Sequence, residues 1–147
     1  MRSLVVLIAV LFFIQCKSTS GDDFTNAELL VGTWTVSSAS IDGTPYPVTN
    51  PGLLQVQAIF GETSFQYNYP QVVDGIPNGN VDVLTGTWTL NEDETVINIV
   101  PTGSTEAILV WNIDRLAVGT LEVTFQQQSM TGEGYSTYNL VYSLTGN

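Results

Sequence analysis

Apolar and polar residues alternate along most of this chain. Leu121, Val123 and Phe125 take one phase, and Glu122, Thr124 and Gln126 the other. Tyr138, Leu140, Tyr142 and Leu144 repeat the pattern, as do Ala107, Leu109, Trp111 and Ile113. Leu84, Gly86, Trp88 and Leu90 alternate with Thr85, Thr87 and Thr89. Further sets are Leu54, Val56, Ala58 and Phe60; Phe65, Tyr67 and Tyr69; Ile97 and Ile99; and Trp34 and Val36. A period of two belongs to strands with one buried and one wet face. It predicts eight strands, over 32–41, 53–60, 63–69, 82–90, 95–100, 106–114, 120–127 and 136–145. Most of the gaps between them are short and rich in Gly, Asn, Asp, Pro and Ser, which is turn chemistry. Two gaps are longer: 42–52 with three prolines, and 70–80 with two prolines and two glycines. Thr25-Asn26-Ala27-Glu28 has the form of a capping box and predicts a short N-terminal helical turn through Leu29 and Leu30. Eight sequential strands joined by hairpins favour an all-β antiparallel up-and-down barrel, which leaves no sheet edge. A two-sheet β-sandwich is the alternative.

The alternation is absent at the start. Residues 4–14 are eleven apolar residues without interruption, preceded by Arg2 and followed by Gln15 and Cys16. As a helix this run spans roughly 16 Å, about half a bilayer's hydrocarbon core. It is therefore too short for a membrane span and has the form of an export signal. Phe13-Ile14-Gln15-Cys16 resembles the box that ends bacterial lipoprotein signals, in position and in its final cysteine. It departs from that box at Gln15, where a small residue is expected, and at Phe13 in place of Leu. Cys16 is the only cysteine, so no internal disulfide competes for it. The resemblance implies a signal over 1–15, lipidation at Cys16, a polar tether over 16–23 and a single domain over 24–147. It also implies export and a lipid anchor in the cell envelope, with the outer membrane the expected site.

Charge and composition narrow the chemistry. All 14 acidic residues lie after the apolar run, against only Lys17 and Arg115. Such a surface repels nucleic acid and anionic membranes. There is no histidine anywhere, which removes the commonest general base and the commonest transition-metal ligand together. Glu92-Asp93-Glu94 sits where a hairpin turn is expected, and no Asp-x-Asp-x-Asp-Gly calcium loop occurs. The expectation is a protein that is not an enzyme and that uses no metal and no cofactor.

One motif occurs twice. Gly32-Thr33-Trp34-Thr35-Val36 recurs as Gly86-Thr87-Trp88-Thr89-Leu90. A glycine two places before a tryptophan lies on the same strand face, so its missing side chain is expected to leave room for the indole. Gly32, Trp34, Gly86 and Trp88 are thus candidates for closing one barrel end. With the short helix and Leu30 before it, Leu30-Val31-Gly32-Thr33-Trp34 resembles the opening of bacterial lipocalin-like domains of Bacteroidota lipoproteins. Gly86-Thr87-Trp88-Thr89-Leu90-Asn91-Glu92 resembles their middle strand and acidic turn. The likeness implies a lipocalin-like barrel over most of 24–147. The late arginine, the Thr-Asp-Tyr motif and the C-terminal helix of lipocalins proper are missing, so their ligand chemistry is not carried over.

The inward phase supplies candidate ligand contacts: Tyr67, Tyr69, Trp88, Trp111, Phe125, Tyr138 and Tyr142. An eight-stranded barrel either holds one small ligand or is filled by its own side chains. With no inward charge evident, a ligand would be neutral or apolar. If the barrel is filled, function moves to the loops 42–52 and 70–80, with an envelope protein or a glycan as partner.

Overall fold

The structure, a computed structural model, describes residues 24–46, 56–73, 76–107, 109–131 and 134–146. It begins with one short helix, α1 (Asn26–Leu30). Thr25 caps it by accepting from the Glu28 N–H, while the Glu28 carboxylate accepts from the Thr25 N–H at 2.8 Å, completing the capping box. Those bonds to Thr25 hold the Glu28 carboxyl below the usual range.

Nine strands follow: β1 (Gly32–Ile41), β2 (Thr44–Tyr46), β3 (Gln57–Phe60), β4 (Ser64–Val73), β5 (Ile76–Leu90), β6 (Val96–Pro101), β7 (Leu109–Ala117), β8 (Thr120–Thr131) and β9 (Gly134–Gly146). Each pairs antiparallel with its sequence neighbour from β3 onward, β1 pairs with β3, and β9 returns to β1. That last ladder runs from Trp34↔Gly146 to Ile41↔Leu140 and closes eight strands into a barrel, which excludes the sandwich. The short β2 pairs only with β1, at Ala39–Ile41, on the edge that β3 occupies at Gly32–Thr35.

Burial follows the alternation. Trp34 and Val36, Ala58 and Phe60, Ile97 and Ile99, and Leu121, Val123 and Phe125 are all inside. The phase changes where a bulge adds a residue. Between Val36 and Ser38 the register of β1 slips, Ser37 and Ser38 face water, and Ala39 becomes the next inward residue.

Of the two predicted long loops, the described part of 70–80 is strand, and 42–52 contributes β2. Residues 70–73 and 76–80 extend the β4–β5 hairpin, with Pro70 opposite Val81 and Pro77 opposite Val72. The register shifts between Pro70 and Val72. A bulge is a place where a residue without an N–H is tolerated in a ladder. Asp42 and Gly43 take positive φ of 48° and 78° and turn the chain into β2, as an Asp-Gly hairpin does. The rest of the 42–52 loop lies outside the described residues.

Gly86 has a different task from the one its place before Trp88 suggests. A Cβ there would fall on the Val100 carbonyl oxygen and lie 2.8 Å from Pro101 Cα, so the glycine admits β6 rather than the indole. Gly86→Ala is expected to cost about 1–3 kcal/mol through overpacking against backbone. In urea denaturation the exposed Thr87→Ala should stay within about 0.5 kcal/mol of wild type. Equal losses for the two variants would contradict this role.

Candidate functional site

The barrel's two ends differ. At the end where α1 sits, the Trp34 indole N–H donates to the Leu30 carbonyl at 2.8 Å, and the Trp88 N–H to Gly61 at 2.9 Å. Both indoles are buried with their one donor satisfied. Trp34 lies against Gly146, its β9 partner, where a Cβ would come within 3.0 Å of the ring. Gly146 rather than Gly32 therefore makes room for it. Gly32 instead takes a φ of 150°, which side chains rarely adopt.

From Trp88 an aromatic chain runs up the interior. Phe60 meets Trp88 edge-on at 5.4 Å, Phe65 meets Trp111 at 5.6 Å, and Tyr67 meets Trp111 at 5.0 Å. Trp111 stacks on Phe125 at 5.0 Å, and Phe125 meets Tyr142 edge-on at 5.2 Å. Tyr69 stacks on Tyr67 and is only partly buried. Five of the seven candidate contacts, Tyr67, Tyr69, Trp111, Phe125 and Tyr142, thus lie together. Trp88 stands apart from the others at the helix end, beside Phe60. The side chain of Tyr138 lies outside the described residues, and its backbone pairs with Gln127.

Among the described residues, no charged side chain is buried. Four buried polar atoms nevertheless lack a hydrogen-bond partner: the Tyr67 and Tyr142 hydroxyls, Trp111 Nε1 and Gln127 Oε1. The Tyr67 and Tyr142 hydroxyls lie beside one another, but neither completes a hydrogen bond of good geometry. Burial pushes both phenols up, Tyr67 well above its ordinary value and Tyr142 to about 12. The mutual influence of the pair is smaller than the effect of burial. Tyr69 is raised by burial and then by the Asp82 charge.

Across the far end the two long hairpins meet. β4 and β8 lie opposite one another in the ring of eight, yet Val73 and Met130 form a parallel bridge. The Gln127 side-chain amide donates to the Pro70 carbonyl at 3.4 Å across the same gap.

A lipocalin-like domain model matches residues 30–147. The chain belongs to the lipocalin-like domain family. No curated protein matches it. Among solved structures, bovine odorant-binding protein in complex with a selenium-containing odorant is 12% identical, with a TM-score of 0.47 over 88% of this chain and 78% of that one. The odorant-binding protein from bovine nasal mucosa is 14% identical, with a TM-score of 0.46 over 86% and 77%. A deswapped triple mutant of the bovine protein is 15% identical, with a TM-score of 0.41 over 81% and 74%.

Gln127 is the residue of this lipocalin-like interior that sequence patterning misses. The signal was available: it continues the inward phase of Leu121, Val123 and Phe125 with a polar side chain. The raised phenols carry a pH consequence. Between about pH 10 and 12 the unfolded chain loses phenolic protons that the folded barrel retains, so stability falls as pH rises through that window. For Tyr142 alone the loss is about 2–3 kcal/mol. In urea denaturation at steps from pH 9 to 12, Tyr142→Phe should fall less steeply than wild type. Parallel curves would contradict it.

Proposed function

We propose that this protein is a non-enzymatic binding protein that carries a small neutral molecule within its barrel. The observation that carries this is the set of four unpartnered polar atoms inside an aromatic wall. Leaving a buried donor or acceptor unpaired costs about 1–3 kcal/mol each. A guest with an apolar body and one or two hydroxyl, carbonyl or N–H groups would pair with them while stacking on Trp111, Phe125 and Tyr67. The described interior offers no cation, so a carboxylate or sulfonate would be buried without compensation. Membership of the lipocalin-like family supports the reading. Entry from the far end requires the Val73–Met130 bridge and the Gln127–Pro70 contact to part.

The protein works at the cell envelope, held by lipid on Cys16 with residues 17–23 as tether, and the outer membrane is the expected location. The short apolar run, Arg2 and the cysteine after Gln15 support this assignment. Intact-mass measurement on membrane-extracted protein should find a mature chain starting at a diacylglyceryl-modified Cys16. An unmodified cysteine, or a start elsewhere, would exclude the anchor.

A filled barrel that acts through its rim is favoured by one observation, the unbroken aromatic packing from Trp88 to Tyr142. Two fluorescent probes separate the readings. N-phenyl-1-naphthylamine is neutral, while 8-anilinonaphthalene-1-sulfonate has a similar aromatic body and a fixed negative charge. The neutral probe should bind saturably, one per chain, with a Kd on the order of micromolar. The sulfonate should bind at least about tenfold more weakly, and the double variant Tyr67→Phe, Tyr142→Phe should weaken the neutral probe. Equal affinity for both probes, or no saturation, would move function to the rim.

A further inference from the structure

We propose that the helix-capped end of the barrel is a membrane-contact surface, with Phe24, Val31 and Val118 resting among the headgroups of zwitterionic lipid. This rests on the anchor at Cys16. Six large hydrophobic residues are exposed among the described residues, and half of them gather at this one end. Phe24 is 56% exposed, Val31 46% and Val118 80%. Together they border a single groove floored by Trp34, Gly119 and Gly146. The arrangement brings together two chain segments far apart in sequence: the approach to and exit from α1, and the β7–β8 turn.

The chain itself selects the occupant. The described chain begins at Phe24, within this apolar tip. From Cys16 to Phe24 is eight residues, a reach of at most about 28 Å when fully extended. The 12 residues of β8, tilted as barrel strands are, give the barrel a height of roughly 30 Å. The tether is therefore no longer than the barrel is tall, and the helix end is the one that meets the anchoring leaflet. The far end, with the Val73–Met130 bridge, points away from it.

Charge sets the kind of lipid. Glu28 on α1, Glu62 in the β3–β4 turn, and Glu92, Asp93 and Glu94 in the β5–β6 turn are exposed at this same end. The Asn26 amide donates to the Glu94 carbonyl at 3.4 Å, which ties that acidic turn to the helix. An apolar tip inside an acidic rim settles on neutral headgroups, while anionic lipid repels the rim over about a Debye length.

The test uses the full lipidated protein in vesicles. Cys16 is the only cysteine and is acylated in this account, so Val118→Cys supplies a single free thiol for a nitroxide label. Thr102→Cys, in the exposed turn after β6, supplies one away from the helix end, partway up the wall beside Thr85. In phosphatidylcholine–phosphatidylethanolamine vesicles, the label at 118 should collide with oxygen at least about threefold more, relative to a water-soluble nickel chelate, than the label at 102. Adding about one third phosphatidylglycerol at low salt should reduce that ratio, and salt should restore it. Equal accessibility at 118 and 102 in protein shown by mass to be lipidated would overturn this proposal and leave the anchor standing. Dipolar coupling between labels at 118 would overturn it by assigning the face to a second copy. An unmodified Cys16 would overturn the anchor and this proposal together.

Discussion

The β1–β9 ladder is the constraint on which the rest depends. Without it the eight strands would form an open sheet with two unpaired edges, each a template for association. With it every inward side chain faces a shared interior, and the alternation becomes a division between core and water. The ladder also fixes where Trp34 lies, because its partner Gly146 is the glycine against which the indole packs. The position of the plug at the helix end and the closure of the barrel are thus one arrangement.

Closure has a second consequence, for polar groups. An inward tyrosine in an open sheet could turn its hydroxyl to water, but in a ring its reach ends inside. Tyr67 on β4 and Tyr142 on β9 point into the same space from strands that are not neighbours in the ring. Trp34 and Trp88 meet the same problem by donating to backbone carbonyls at the helix end. Trp111, one of the most deeply buried large side chains, does not. The interior therefore divides into a satisfied lower part and an unsatisfied upper part. On the proposed carrier reading, that asymmetry, more than the aromatic content, makes the upper interior the place for a guest.

Much of the barrel is legible from alternation, since burial on one face writes period two directly into residues such as Leu121, Val123 and Phe125. The capping box at Thr25–Glu28 is legible for a similar reason, because its two bonds are local. What escaped is non-local or needs a register. Pro70 and Pro77 read as loop residues because a proline lacks its N–H, yet a bulge beside Pro70 keeps the hairpin paired. Gly86 reads as a partner of Trp88, but its neighbour is the β6 backbone, which no spacing within β5 reveals. The aromatic candidates were found because size and phase coincide. Gln127 was not, because an inward glutamine acquires meaning only when its distance to Pro70 across the ring is known.

The three tryptophans offer the most direct discrimination, since each indole N–H gives its own proton resonance and each has a different environment. With N-phenyl-1-naphthylamine titrated into the folded protein, the Trp111 N–H should shift and gain protection from exchange as it acquires a partner. Trp34 and Trp88, already bonded to Leu30 and Gly61, should move little. Probe binding that leaves Trp111 unchanged, or that shifts Trp34 and Trp88 instead, would contradict a ligand site in the upper interior.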